Sequence, residues 1–301
     1  MRLRNLRWLL AGALMSILPA SPIDAAPRRI VSLSLCADQY LLELADPGQI
    51  AALNRFSHDP AMSWAVTKAR RFPAVRGSAE EMLTLKPDLV FTSGFGSQAA
   101  LAVLRSRGIR VIDLPWDDRF AGIERTSRLV AAAVGHPERG EALVAAMRAR
   151  LKALGPAPGR GRVAAYYQRR GYLTGQGTLI DEMMRRAGLV NLATRIGRPM
   201  LSHLSLEEMA VARPDFLLVE NGDMVRDKGT EMLQHPLLRR VVPSHRRIVV
   251  PEALTTCGGP SYPDALAALF QGIRRSDAPG RSARKDGQPG SPSSPRYFSS
   301  R

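Results

Sequence analysis

Cys36 and Cys257 are the only cysteines of this sequence and stand in opposite halves of it. A thiol pair binds soft metals, attacks electrophiles or oxidises to a disulfide, according to compartment and surroundings. The acidic candidates come as a repeated pattern. Ser78 to Phe91 reads SAEEMLTLKPDLVF, and Ser205 to Leu218 reads SLEEMAVARPDFLL. In each copy Ser-x-x-Glu (Ser78 with Glu81, Ser205 with Glu208) fits a capping box, which satisfies free N–H groups at a helix start. Glu80 and Glu207 fall outside that role. Complementing the helix dipole is the least they would do, a contribution of a few tenths to about 1 kcal/mol. The five histidines are scattered. The sequence has no CxxC, HExxH, GxSxG or correctly placed dinucleotide fingerprint, so no zinc cage, serine nucleophile or nucleotide site is indicated. Two alternatives stay open: an exported α/β enzyme acting on a small molecule, and a zinc- or manganese-binding receptor. The receptor would need clustered histidines and carboxylates, and only His58 and His203 approach suitable positions.

The elements that must position these residues alternate. From Arg29, the apolar runs IVSL, IAALN, DLVFTSG and RVIDLP are separated by helical segments. Continuous apolar strands between helices predict a parallel sheet covered on both faces. The region from Phe120 to Leu154 is helical and broken near Gly135, with Leu143, Met147, Leu151 and Leu154 on one face. A second alternating series follows, with RVAAYYQ, DFLLVE and RIVVP as strands. The predicted fold is α/β: two Rossmann-like parallel-sheet lobes joined by a long rigid linking helix, with a ligand cleft between them. Its parts are an N-terminal lobe over 27–118, a linking helical region over 119–156 and a C-terminal lobe over 157–275. The repeated motif then marks equivalent places in the two lobes.

The ends read differently. Residues 1–26 combine a basic start (MRLRNLR), a short apolar run (WLLAGALMSIL) and a small-residue stretch, the pattern of a secretory signal peptide. Residues 276–301 are rich in Pro, Gly, Ser and charge, the composition of a disordered tail. Part of the formal net charge of +16 sits in these ends, and the remainder is spread as single arginines with no nucleic-acid motif. In an exported chain a lone cysteine pair is more often a disulfide than not. Free thiols facing a bound metal complex are the alternative.

RRIVSL, SAEEMLTLKPDLVF, the linking helical region, TLIDEMMRRAGLVNLA and LSLEEMAVARPDFLLV occur in that order. Over Arg29 to Arg274 the chain resembles periplasmic substrate-binding proteins of ABC importers, in the cobalamin- and ferric-siderophore-binding class whose two lobes are joined by one rigid helix. The resemblance implies a monomeric periplasmic protein, without enzyme activity, that delivers a metal chelate to a permease dimer in the inner membrane. It implies no resident cofactor, the cobalt or iron belonging to the ligand. In this class one glutamate at the tip of each lobe pairs with permease arginines, and by motif position these are Glu80 and Glu207. Charge complementarity of that kind sets orientation and on-rate more than affinity. Cys36, where related proteins often carry a small residue, and the basic tail depart from the pattern.

Loops after the carboxyl ends of parallel strands line ligand crevices. That rule selects Phe56, His58 and Trp64 after IAALN, Phe95 after DLVF, and Trp116 after RVIDL. In the second lobe it selects Arg170 and Tyr172 in QRRGYLTGQG, Asp223 in ENGD, and Tyr262 in LTTCGGPSY. An aromatic rim of this kind suits a large, flat, partly apolar ligand such as a corrinoid, a haem or a siderophore chelate. It suits a bare metal ion poorly, so no protein metal site is expected. His58 is either an axial ligand to cobalt or iron or a loop histidine bonded to backbone. Arg170 is a candidate partner for ligand carboxylates or phosphate.

Overall fold

The computed structural model describes residues 26–94, 98–220 and 229–278. The first lobe runs β1 (Ile30–Ser32), α1 (Leu35–Leu44), β2 (Ile50–Asn54), α2 (Val66–Ala69), β3 (Ala74–Val75), α3 (Ala79–Leu85), β4 (Leu89–Thr92), α4 (Gln98–Ser106) and β5 (Arg110–Asp113). Two linking helices follow, α5 (Phe120–Val134) and α6 (Pro137–Ala153). The second lobe begins with β6 (Val163–Tyr166), β7 (Tyr172–Thr174), α7 (Leu179–Arg186), β8 (Val190–Asn191), α8 (Leu192–Arg195), β9 (Leu201–His203) and α9 (Leu206–Ala212). It ends with β10 (Phe216–Val219), α10 (Glu231–Gln234), α11 (Pro236–Val241), β11 (Arg247–Val249), α12 (Glu252–Thr255) and α13 (Tyr262–Asp277).

The first lobe holds a five-stranded sheet in the order β3-β2-β1-β4-β5, and the second a four-stranded sheet in the order β11-β10-β6-β8. All pairings in both are parallel. Alternating burial shows why these runs are strands. Leu89 and Phe91 of β4 enter one core while Val90 enters the core on the opposite face. In β10, Phe216 and Leu218 divide from Leu217 and Val219 in the same way. A central core common to both lobes gathers Leu41, Phe91, Met183, Phe216 and Leu269 with Ile123 and Met147 of the linking helices. A small antiparallel pair, β7 with β9, lies outside the parallel sheets. The sequence reading missed it because YLT and LSH carry no continuous apolar run, unlike the equally short β1 and β11 within IVSL and RIVVP.

The doubled motif builds the same structure twice. In both lobes a seven-residue helix starts on a serine whose side chain accepts the N–H of the second glutamate, and ends on a left-handed Lys86 or Arg213. The aspartate that follows pins the next strand to the first one. Asp88 accepts the N–H groups of Arg28 and Arg29 at the start of β1. Asp215 accepts the N–H of Val163 at the start of β6. Register follows, with Leu89 opposite Ile30 and Phe216 opposite Ala164. The copies differ in one detail. Glu208 closes a full capping box on the Ser205 N–H, whereas Glu81 reaches past Ser78 to the N–H groups of Arg76 and Gly77.

The linking region is an antiparallel helical hairpin. Gly135, at φ 89°, ends α5 in the left-handed region, where an L side chain is disfavoured. The two helices then pack closely enough that a Cβ on Gly140 would meet Ala131 at 2.7 Å. Arg128–Glu141 and Arg148–Glu124 ion pairs cross the seam. Of the two, α6 is the strut, about 25 Å long at 1.5 Å per residue. Near its start Arg139 binds Asp46 and the Leu44 carbonyl of the first lobe. Near its end Arg150 pairs with Asp264 of the second.

Candidate ligand-binding site

A cavity of about 370 Å³ opens where the first lobe meets the second. Much of its wall comes from residues at or just past strand carboxyl ends: Leu33 and Ser34 after β1, Asn54 at the end of β2 and Phe56 after it, Ser93 after β4, Leu114 and Trp116 after β5. This is the crevice expected of an open parallel sheet. In the order β3-β2-β1-β4-β5 the winding direction reverses between β1 and β4, and ligands bind at such switch points. Ser34 and Ser93 flank that point, their hydroxyl oxygens 2.5 Å apart. In the second lobe the reversal falls between β6 and β10, where the Tyr166 hydroxyl donates to Glu220.

The back of the cavity is the segment Thr256–Cys257–Gly258 of the second lobe, held by α1 and the end of the first lobe. Cys257 is disulfide-bonded to Cys36, with the Cα atoms 5.3 Å apart. The Tyr40 hydroxyl donates to the Gly258 carbonyl at 3.0 Å. The backbone of Leu179 and Gly258 faces the Asp118 carboxylate and favours its charged form. Glycine at 258 is required by this approach, because a Cβ there would lie 2.7 Å from Asp118 Oδ1. At Gly259 the corresponding contact is Gln39 Oε1 at 2.9 Å. Burial, with the neighbouring Asp117 charge second, pushes the Asp118 carboxyl above the usual carboxylate range. Asp117 is held below it by its hydrogen bond from Arg119, and Arg125 adds a second ion pair. Trp116 stands at the mouth, 69% exposed.

Beneath the floor, Asp38 of α1 is buried, and burial pushes its carboxyl up to about 7. Ser57 Oγ and the Asn54 N–H donate to its Oδ2, while Oδ1 has no hydrogen-bond partner among the described residues. The carboxyl therefore holds Asn54, a cavity-wall residue, in register.

Of the residues selected from sequence, Phe56, Trp116, Cys36 and Cys257 line the cavity. Four others do not. His58 gives its ring Nε2 to the Ala69 carbonyl at 3.1 Å, so it braces its own loop. Trp64 is half-buried and away from the cavity wall. Arg170 and Tyr172 belong to the β7–β9 corner of the second lobe. There Arg170 takes a left-handed backbone and donates its N–H to Gly229, and Tyr172 meets His203 edge-on at 6.1 Å. Tyr262 is a correction. It follows the Cys257 loop in sequence but begins α13, and its ring packs against Phe120 under the Arg186 guanidinium, leaving it 1% exposed. Phe95 and Asp223 lie outside the described residues.

Glu80 and Glu207 are exposed in the first turns of α3 and α9, and neither carboxylate makes an ion pair or hydrogen bond among the described residues. No group of three or more His, Cys, Asp or Glu side chains converges among the described residues. Sequence reasoning passed over the polar wall of Ser34, Asn54, Asp117, Asp118 and Thr126. Three of these sit one or two residues from strand ends or from Trp116, so the strand-end rule contained them. An emphasis on aromatics hid them.

The chain is similar to a cobalamin-binding protein of Halobacterium salinarum strain R1, with 26% identity over 208 residues that cover 67% of this chain and 56% of that protein. The chain thus spans little more than half of that relative's length. Among solved structures it is similar to the periplasmic heme-binding protein RhuT of Roseiflexus sp. RS-1, with TM-score 0.66, 25% identity, and coverage of 83% of this chain and 99% of that one. The vitamin B12 binding protein BtuF of Vibrio cholerae matches with TM-score 0.65 over 84% of this chain and 98% of that one, and its 18% identity supports the fold alone. The periplasmic binding protein family model matches residues 30–245, and the chain belongs to that family.

Proposed function

We propose that this protein is the substrate-binding component of an ABC importer, capturing a metal chelate in the interlobe cavity and delivering it to a membrane permease. The observation that carries this reading is the cavity at the switch point of the first lobe, walled by aromatic and hydroxyl-bearing residues and backed by the second lobe. Phe56, Trp116 and Tyr40 supply apolar area, and Ser34, Asn54, Ser93 and Thr256 supply hydrogen bonds, the mixture that orients an amphipathic small ligand. The cobalamin- and heme-binding relatives support a chelate as the class of cargo. The metal arrives with that cargo, and binding needs no resident cofactor and no bond-making step.

Docking would use Glu80 and Glu207. Their helices are built alike, one on each lobe, and their carboxylates are exposed and uncommitted among the described residues. Two such charges orient the protein on a roughly two-fold permease. Residues 1–26 would direct export, after which the mature protein works in the periplasm as a monomer. The test is equilibrium titration of the protein starting at Pro27 with cobalamin, haem and ferric siderophores, read by tryptophan fluorescence and native mass spectrometry. Saturable binding of one chelate per chain supports the proposal. Turnover of a small molecule with no stoichiometric binding would replace it with an exported enzyme.

A further inference from the structure

One buried carboxyl holds several residues of the cavity wall at once. Asp38 of α1 is 1% exposed and faces the carboxyl ends of β1 and β2. Its Oδ2 accepts the Asn54 N–H at 2.9 Å and the Ser57 hydroxyl, and the Ser32 side chain faces the same carboxyl. Asn54 passes this hold on to the wall. Its Nδ2 donates to the Leu33 carbonyl at 2.8 Å, and its Oδ1 accepts the Phe56 N–H at 3.0 Å. Leu33, Asn54 and Phe56 all line the cavity. Ser32 reaches the wall by a second route, its hydroxyl donating to the Ser34 carbonyl at 3.1 Å, while Ser34 Oγ lies 2.5 Å from Ser93 Oγ. The wall segments after β1 and β2 thus share one anchor.

Packing alone does not ask for an acid in this place. Asp38 Oδ1 has no hydrogen-bond partner among the described residues, and burying a carboxylate without a counter-charge is costly. The charged and titratable groups on the surrounding elements are engaged elsewhere. Arg55 lies over the Phe56 ring, His58 bonds the Ala69 carbonyl, Lys68 pairs with Glu43, and Arg139 pairs with Asp46. An asparagine would accept the same two bonds at its single side-chain oxygen with no charge to bury.

The charge state of Asp38 reaches the wall through Ser32, which has one hydroxyl proton and two acceptors, the Ser34 carbonyl and the Asp38 carboxyl. With the carboxyl protonated, that proton stays on the Ser34 carbonyl, as in the structure. An ionised carboxylate is the stronger acceptor and draws it away, so the segment after β1 loses a tie. The cavity lies just beyond Asn54. A ligand without net positive charge displaces water there that would stabilise the anion, and so favours the protonated form. Burial already pushes this carboxyl up to about 7, which brings the exchange within reach of a binding experiment.

Resting on the capture reading, we propose that Asp38 is a positioning residue for the ligand, acting through Asn54 and Ser32, and that its protonated form is the one that binds. Affinity is then highest on the acid side and falls as the carboxyl ionises. The test titrates the parent, Asp38→Asn and Ser57→Ala, each starting at Pro27, with cyanocobalamin, haemin and a ferric trihydroxamate from about pH 5.5 to about pH 8.5, read by tryptophan fluorescence. For a probe that binds, the parent's dissociation constant should rise about tenfold across this range, the effect of one pKa unit between free and bound protein. Asp38→Asn should stay within about twofold of the parent's acid-side value throughout, because asparagine copies the neutral form. Ser57→Ala removes a donor to the carboxylate, so its midpoint should move to higher pH. Subtracting the Asp38→Asn profile removes the titrations of Asp117 and Asp118 on the wall, of His58, and of the probe itself. A parent profile that Asp38→Asn reproduces would overturn the proposal and leave capture standing. So would weak binding by a folded Asp38→Asn at every pH, which would make the carboxyl a packing group only. Where Asp38→Asn does not fold, the midpoint of Ser57→Ala decides, and an unmoved midpoint overturns the proposal. Failure of all three probes to bind at any pH would remove the capture reading and this proposal together.

Discussion

The disulfide between Cys36 and Cys257 joins the first turn of α1 in one lobe to the glycine segment of the other, at the back of the cavity, with Cα atoms 5.3 Å apart. It works beside contacts that already hold the two lobes, among them Tyr40 to Gly258 and Ser261 to Gln39. A cleft cross-linked at its floor closes little, so a ligand must find the site largely formed. Affinity then comes from preorganisation more than from closure.

Removing this bond should loosen the lobes. It closes a loop of 221 residues, which by chain entropy contributes about 5 kcal/mol. The Cys36→Ser/Cys257→Ser double variant is expected to melt roughly 10 °C or more below the parent, in line with ~2–4 °C per kcal/mol for chains of this size. Scanning calorimetry with and without reductant checks this. Equal melting temperatures would mean that the interface alone sets the lobe geometry.

Gly258→Ala should be costly for its size. The added methyl carbon would fall 2.7 Å from Asp118 Oδ1 and force apart the segment that Asp118 and Tyr40 hold. A loss of about 1–3 kcal/mol is expected, typical of overpacking, measured by denaturant unfolding.

Asp38 predicts a pH dependence of definite sign. Its carboxyl is raised from 3.8 to about 7 by burial, so the folded chain holds a proton that the unfolded chain releases across that interval. Its contribution is complete below about pH 4 and is lost as pH rises through about 7, a difference of about 4 kcal/mol. Carboxylates held low by arginines, such as Glu124 and Asp277, act oppositely and at lower pH. Subtracting the stability–pH curve of Asp38→Asn from that of the parent should therefore leave a falling step between pH 4 and 7. A flat difference would show that Asp38 titrates normally.

Glu80→Arg and Glu207→Arg separate docking from binding. Both positions are exposed and neither lines the cavity, so ligand affinity should stay within about twofold. Uptake through the cognate permease should fall steeply, with the double variant lowest. Unchanged uptake would return both residues to the helix-dipole role.

How much of this was legible beforehand depended on the length of each signal. Four-residue apolar runs such as Leu89–Thr92 and Phe216–Val219, each set behind a Ser-x-x-Glu helix and a Pro-Asp step, carry their pairing in local chemistry. The two lobes could therefore be read directly. Unlike β1 and β11, the strands β3, β7, β8 and β9 lie in no continuous apolar run and become strands only through tertiary pairing. His235 and Pro236 divide the helical run GTEMLQHPLLRR into α10 and α11, since a proline at a first helical position starts a new helix. At the site, the strand-end rule found the crevice. It could not tell Trp116 at the mouth from Tyr262 in the core, because that distinction is made by Phe120 and Arg186 from distant elements.

The most direct test of the account is the stoichiometry of chelate binding, comparing the parent chain with Trp116→Ala by native mass spectrometry and titration calorimetry. Trp116 is largely exposed at the mouth, so its removal should leave the melting temperature unchanged. The account predicts one chelate per chain for the parent and an affinity about tenfold or more lower for the variant, the scale of a lost aromatic anchor. Equal affinity in parent and variant would place the ligand elsewhere and contradict the assignment of the cavity.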